Sequence, residues 1–461
     1  MNINPGIFKS YDIRAIYPTE INEDNVVPIV KSIHSFFIKN HKENTPLTLV
    51  VGSDMRVSSP SLTKIATKTL LDLGTNIIDI GIVSTPTFYF AVSHYGYPAG
   101  IQITASHNPK EWNGIKMVKK GQKGLIKIGK STGMDEIKEG ALKGKFANSA
   151  GQGHIQTKTN ILDDEIENSL KIAGNPKIKR FKIVADTANA MGAQYISALF
   201  KKIPMDLIKM NFELDGTFPA HQPDPLKQEN LTDLQERVIK EKADFGLAPD
   251  GDGDRLFFID EKGQTVPPTI ITSIVTEELL KKYPGEQILV DIRYLLTPKK
   301  IVEENGGIMR VTKVGHAYIT EAMNTTGGIF AGESSAHYFF RDTGNAESPI
   351  TIILIILKAL TERNIPFSEL VKNYRRSYES GEFNFEVNNA KEIIESLKQK
   401  YSDGQTDTMD GIAINYPSWR FSLRSSNTEP LLRLNVEAYD KEIMEKYRDE
   451  LLVFIKHAAN G

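Results

Sequence analysis

The chain has 461 residues, 40% hydrophobic and 25% charged, a composition that suits a globular protein of several domains and excludes a disordered chain. Its 56 Lys and Arg stand against 58 Asp and Glu, so a formal net charge of −2 leaves no global field to recruit nucleic acid or an acidic membrane. With no cysteine there is no disulfide, thiolate metal site or cysteine nucleophile. The first fourteen residues lack the basic and apolar regions of a signal peptide, and a cytoplasmic location is expected.

In chain order, the first strong signal is the aliphatic run 49–54, which ends in Asp54 and predicts a buried strand. Leu62, Ile65, Ala66, Leu70 and Leu73 then recur at helical spacing over 61–73. Further strands are predicted at 76–82 and 99–103, the second running into Thr104-Ala105-Ser106-His107-Asn108-Pro109 and Asn113-Gly114-Ile115-Lys116. A serine hydroxyl on a tight turn near His and Lys is either a nucleophile and phosphoryl carrier or an ordinary Ser/Asn turn. The G-x-S-x-G elbow of serine hydrolases is missing. The Gly- and Lys-rich stretch 119–153 predicts loops and a first domain boundary, its lysines forming a solvated face.

The plan then repeats. Runs at 183–186, 205–210 and 243–248 lead to Asp250-Gly251-Asp252-Gly253-Asp254-Arg255. Alternate carboxylates spaced by glycines either converge on one hard cation or splay into solvent. Two like charges about 4 Å apart repel by about 4 kcal/mol at an effective dielectric near 20, so three converging carboxylates cost on the order of 12 kcal/mol without a cation. An EF-hand is excluded, because Arg255 occupies its glycine position and the flanks are strand-like. Runs at 288–291, 308–314 and 328–331 lead to a third loop, Gly332-Glu333-Ser334-Ser335-Ala336-His337. It suits recognition of neighbouring hydroxyls or is a plain surface loop. Residues 350–357 are too few to span a bilayer and predict a buried helix.

After Pro366 the plan stops. Strands are predicted at 419–423 and 431–438, with an amphipathic helix from about 440. Between the strands lies Arg424-Ser425-Ser426-Asn427-Thr428-Glu429-Pro430, either a phosphate cradle or a capped turn. In all three repeats the polar loop follows the third run, at the carboxyl end of a strand, where open parallel sheets place their ligands. The predicted fold is three related α/β domains with mixed, largely parallel sheets and a smaller C-terminal α+β domain, around a central cleft. The expected boundaries are 1–150, 151–258, 259–366 and 367–461.

Taken together, the four loops resemble the α-D-phosphohexomutase family, closest to its phosphomannomutase/phosphoglucomutase branch. The resemblance implies an intramolecular phosphotransferase that interconverts hexose 1-phosphate and hexose 6-phosphate through a phosphoserine and a 1,6-bisphosphate. It makes Ser106 the phosphorylated residue and Ser106, Asp250, Asp252 and Asp254 the ligands of Mg²⁺. Tyr11-Asp12-Ile13-Arg14 looks like the family's tyrosine-to-arginine motif. Arg14 is then expected at the transferring phosphoryl group, with Lys116 as proton-transfer partner and His107 in support. Tyr11, Arg255, Arg293, His316, Glu333, Ser335 and His337 are expected to contact substrate, and Arg424, Ser426, Asn427 and Thr428 the distal phosphate.

Three departures stand out. Ser334 and Ala336 replace a Met and a second Gly usual in the third loop, Arg293 stands where lysine is usual, and Ala15 follows Arg14 in place of glycine. Asn427 stands where the phosphoglucosamine-mutase branch usually has glycine, which makes that activity the alternative, with a metal-dependent sugar-phosphate phosphatase after it. The resemblance further implies hexose 1,6-bisphosphate as activator. The partners expected are small sugar phosphates, with neither nucleic acid nor membrane, for a monomer or weak homo-oligomer. No residue in the four loops is committed to the C2 hydroxyl, so use of both glucose and mannose phosphates is expected.

Overall fold

The protein is described by a computed structural model over residues 3–41, 45–147, 151–425 and 431–460. Its β-rich runs form four sheets. In the first, Thr48–Ser53 lies between Asn76–Ile82 and Ala99–Ile103, all parallel. Lys182–Asp186 holds the same place between Asp206–Met210 and Phe245–Pro249, and Gln287–Asp291 between Ile308–Thr312 and Phe330–Gly332. The threefold plan is therefore present, with the same strand order each time. Each central strand is buried almost throughout, which is why its sequence is an unbroken aliphatic run.

The aliphatic runs do not show the other half of each sheet. After the third parallel strand the chain turns straight back: Trp112–Lys120 pairs antiparallel with Ala99–Ile103, Leu256–Asp260 with Phe245–Pro249, and Tyr338–Phe340 with Phe330–Gly332. The sheets are thus mixed, parallel on one side and antiparallel on the other. Each polar loop links an antiparallel pair and is anchored at both ends in one sheet. The strand Ile13–Ile16 pairs with Trp112–Lys120, with Arg14 opposite Gly114, and so carries Arg14 to the first loop.

The fourth sheet is wholly antiparallel, ordered Tyr378–Glu386, Leu431–Ala438, Trp419–Ser425, Ile412–Asn415 and Gln405–Asp407. The helices Ala390–Lys400 and Lys441–Asn460 share its hydrophobic core. The second and third units share one core, and Pro349–Arg363 runs through it with every residue of 349–357 buried. The helix Phe367–Tyr374 buries Phe367, Leu370, Val371 and Tyr374 in that same core, so we place the last divide after Tyr374. Likewise Ile155–Thr157 pairs with Asn76–Ile82, and we place the first divide after Thr157. Within 119–153, where loops are predicted, Met134–Lys143 is a helix whose Met134, Ile137 and Ala141 pack into the first core. No helix among the described residues is long and apolar enough to cross a membrane.

Candidate active site

Ser106 sits just past the strand Ala99–Ile103 with φ 53°, a left-handed conformation rare for a residue with a side chain. The turn is braced from within, since its N–H donates to Thr104 Oγ1 at 3.0 Å. The opposing loop presses on it as well. A Cβ at Gly251 would stand 2.2 Å from the Ser106 carbonyl oxygen, so only glycine lets the two loops meet. His107 Nδ1 lies 3.2 Å from Ser106 Oγ. Burial, with Arg255 and Arg14 adding to it, holds that imidazole well below its usual pKa and therefore neutral. Arg14 Nη1 donates to Asn108 Oδ1 at 2.6 Å, and its Nε is held by Asp12 at 2.9 Å. Burial works against the Arg14 charge, but Asp12, with Asp252 and Asp254, outweighs it and raises the pKa.

Asp250, Asp252 and Asp254 are fully buried, and their ligating oxygens lie within 4.8 Å of one another. Asp250 Oδ2 accepts a hydrogen bond from Ser106 Oγ at 3.2 Å, while Oδ1 accepts from the N–H of Gly253 and of Arg255. Burial, together with Asp254 and Asp252, pushes the Asp250 carboxyl up to about 8. Lys116 Nζ lies 2.6 Å from both Asp252 Oδ2 and Asp254 Oδ2. Burial would strip its proton, yet the two aspartates more than offset that and raise its pKa well above normal. Asp252 Oδ2 also accepts from Thr85 Oγ1 at 2.5 Å, but Asp252 Oδ1 is buried with no partner. An unpartnered buried carboxylate oxygen is costly in a protein interior and suits a cation ligand. The donor set is all oxygen, from three carboxylates, which fits a hard divalent cation rather than a soft one.

His337 links this loop to the third. Its Nε2 lies 3.2 Å from Asp254 Oδ1 and its Nδ1 lies 2.6 Å from Glu333 Oε2. Burial disfavours its charge, but Asp254 and Glu333 raise its pKa to about 9, so it is an imidazolium at neutral pH. Glu333 Oε1 accepts from the Gly315 N–H at 2.8 Å, beside His316. Tyr11 donates to the Val314 carbonyl at 2.9 Å, and its ring stands 5.2 Å from the His316 ring. Arg255 Nε lies 3.4 Å from His337 Nε2 and 3.8 Å from Asp250.

Arg293 serves several partners at once. It donates to Asp291 at 2.9 Å and to Ser335 Oγ at 3.3 Å, and it lies 3.6 Å from Glu333 and 3.7 Å from Glu382. Ala336 has φ 68°, which explains why glycine is favoured there. The left-handed conformation costs an L-residue about 1–2 kcal/mol, and the fully buried methyl returns about 0.8 kcal/mol, so alanine is tolerated. From the fourth unit, Arg424 reaches Glu382 at 3.1 Å. Ser426, Asn427 and Thr428 lie outside the described residues.

The structure thus gathers Ser106, His107, Lys116, Arg14, the three aspartates, Arg255, Glu333 and His337 into one contiguous network. Tyr11 and His316 border it through Gly315, and Arg293 joins Arg424 through Glu382. Sequence reasoning missed Arg56, Thr85, Asp291 and Glu382. A signal existed for two of them. Asp-x-Arg occurs at 12–14, 54–56 and 291–293, and each time the aspartate accepts from the arginine Nε two residues on.

Four family models match the chain in order. They are the α/β/α domains I, II and III and the C-terminal domain of phosphoglucomutase/phosphomannomutase, over residues 5–147, 164–263, 267–378 and 382–452. The phosphomannomutase of Vibrio cholerae is 36% identical, covering 97% of this chain and 98% of its own. That of Methanocaldococcus jannaschii is 36% identical over 96% of both. Among solved structures, a phosphoglucomutase/phosphomannomutase family protein from Burkholderia thailandensis superposes with a TM-score of 0.88 at 29% identity, covering 100% of this chain and 99% of its own.

Proposed function

The chain belongs to the phosphoglucomutase/phosphomannomutase family, and from that premise we propose that it interconverts hexose 1-phosphate and hexose 6-phosphate through a phosphoserine at Ser106. The observation that carries this reading is the contact of Ser106 Oγ with Asp250 inside a buried three-carboxylate cluster that holds an unpartnered oxygen. Asp250, Asp252 and Asp254, with an oxygen of the Ser106 phosphate, would hold Mg²⁺. Bound there, Mg²⁺ supplies the charge neutralisation that phosphoryl transfer needs.

The chain's own residues do the rest. In the forward step the bond from phosphorus to Ser106 Oγ breaks as a bond forms to a free sugar hydroxyl, and that hydroxyl's proton ends on Ser106 Oγ. His107 Nδ1, within hydrogen-bond reach of Oγ, can hold that proton in passage. Arg14, bonded to Asn108, and Lys116, paired with Asp252 and Asp254, bring fixed positive charge to the site, which stabilises charge on the moving group. Because those aspartates hold Lys116 protonated, the proton transfer expected of Lys116 is assigned to His107 instead. The resulting 1,6-bisphosphate turns over, and the reverse transfer from its other end restores phosphoserine. Free bisphosphate acts as activator by rephosphorylating enzyme that has lost its phosphoryl group.

Glu333 and Ser335 would hold neighbouring sugar hydroxyls. Arg424, with Ser426, Asn427 and Thr428, would hold the phosphate that does not react, in either orientation of the sugar. With no residue of the four loops assigned to the C2 hydroxyl, glucose 1-phosphate and mannose 1-phosphate should differ by about 1–3 kcal/mol at most in kcat/KM.

Intact-mass analysis of freshly purified protein should show a phosphorylated fraction that maps to the Ser106 peptide and disappears in Ser106→Ala. A coupled assay with added bisphosphate should show turnover of both sugars in the wild type and none in that variant. Turnover by Ser106→Ala would overturn the covalent reading.

A further inference from the structure

Arg56 lies outside the four polar loops, yet with Arg420 it is one of the two arginines among the largest fully buried side chains of the described residues. A guanidinium offers five N–H donors in a rigid fork. All five are used here. Nε donates to Asp54 Oδ2 at 3.1 Å. Nη1 donates to the carbonyls of Pro109 and Trp112 at 2.7 and 2.9 Å, and Nη2 to those of Ser106 and Asn108, both at 2.7 Å. Four carbonyls of one loop, from the serine to the start of the next strand, therefore point at a single cation. Asp54 is fixed in turn, since its Oδ1 accepts from the Arg56 N–H at 3.0 Å and from Ser59 Oγ at 2.6 Å.

The second unit closes over this arrangement. The Phe218 ring lies 5.1 Å from the Arg56 guanidinium, and a Cβ at Gly216 would stand 2.7 Å from Arg56 Cα. Gln222 Nε2 donates to the His107 carbonyl at 3.0 Å, and the Pro223 carbonyl accepts from Gly251 N–H. One loop of the second unit thus touches Arg56, the serine loop and the aspartate loop.

We infer that Arg56 is a positioning residue for phosphoryl transfer, fixing the serine loop in the strained turn that aims Ser106 Oγ at the aspartates. The inference rests on the covalent reading of Ser106. The turn at φ 53° is unfavourable by itself and lasts only if its surroundings impose it. Arg56 imposes it by taking four carbonyls that would otherwise be free to rotate. Lysine has three donors and no planar fork, so it cannot replace arginine.

Arg56→Lys is the direct test, measured per folded molecule. It should lower kcat about 100-fold, the scale of a reacting group displaced by ~1 Å, with KM within about threefold of wild type. The Ser106 phosphate should be lost to water faster, and amide exchange should rise over residues 106–112. A residue that served stability alone would lower the melting temperature and leave kcat and the phosphate's half-life unchanged, which would overturn the inference. If Arg56→Lys does not fold, Asp54→Asn weakens the aim of the fork and should give the same pattern in smaller measure. Ser106→Ala separates the two readings. Full activity there removes the covalent reading, whereas wild-type kcat and phosphate half-life in both Arg56→Lys and Asp54→Asn remove only the positioning role.

Discussion

Asp252 is the residue whose chemistry is most exposed to test. Its Oδ2 is engaged by Thr85 and Lys116, and its Oδ1 is the buried oxygen without a partner. Asp252→Asn keeps the shape and a hydrogen-bond acceptor but removes one negative charge and the better ligand for a hard cation. Folding should survive, with activity falling at least ~100-fold, the scale on which removing one group that stabilises transition-state charge acts. Calorimetric titration with Mg²⁺ should show weakened binding in the variant. Wild-type Mg²⁺ affinity there would move the metal site elsewhere. The same economy recurs in the Asp-x-Arg pairs at 12–14, 54–56 and 291–293. In each, a carboxylate two residues upstream preorients a guanidinium: Arg14 and Arg56 both serve the serine loop, through Asn108 and through the carbonyls of 106–112, whereas Arg293 reaches Ser335 and Glu382.

Among elements, the junction of Thr85–His94 with Ile161–Ile172 carries the clearest pH signature. Glu165 is buried there, its Oε2 accepting from Thr87 Oγ1 at 2.6 Å. Burial pushes its carboxyl up to about 7, only partly opposed by that hydrogen bond. The folded protein thus holds this proton more tightly than the unfolded chain. Its contribution to stability is complete below the ordinary carboxyl pKa, near 4.5, and is lost as pH rises through about 7. The loss amounts to about 3 kcal/mol. Glu165→Gln removes the titration, so its melting temperature should gain on wild type steadily from pH 5 to pH 8. Parallel curves over that range would show that the group does not titrate as its burial requires. Helices themselves were unevenly legible. The all-apolar run 350–357 announces a buried helix because no face of it is spared for water. Met134–Lys143 was hidden because three buried residues in a lysine-rich stretch make a stripe too sparse to read.

Across the whole molecule, a buried ion pair joins the first unit to the third. Lys127, on the strand Leu125–Lys127, pairs with Glu347, on Ala346–Glu347, and neither side chain is more than 2% exposed. The rings of Tyr89 and Phe339 flank the ammonium at 4.4 and 4.9 Å. Glu347 also stands close to Asp254 and His337, so the pair borders the candidate active site. Removing one partner leaves a buried charge uncompensated, which costs about 3–5 kcal/mol, whereas removing both costs less. The melting temperature should therefore fall most in Lys127→Met or Glu347→Gln alone and recover in part in the double variant. Additive losses in the double variant would mean that the two charges do not depend on each other.

The sequence by itself determined the central buried strand of each of the three units, because a parallel strand covered on both faces must be aliphatic throughout. It also determined that three such plans run in series, and it singled out Ser106 and the aspartates of 250–254 as candidates for chemistry, the aspartates because converging carboxylates spaced by glycine are costly without a cation. The tertiary structure decided what lies between those loops. The antiparallel half of each sheet follows from a chain reversal that no periodicity marks. The hold of Arg56 on four carbonyls cannot be read from residue types, because backbone acceptors look alike in every sequence. Thr85 meets Asp252, and Arg424 meets Glu382, across separations of 167 and 42 residues. Such meetings depend on how the units pack, and packing energy is shared among many contacts rather than written at any one position.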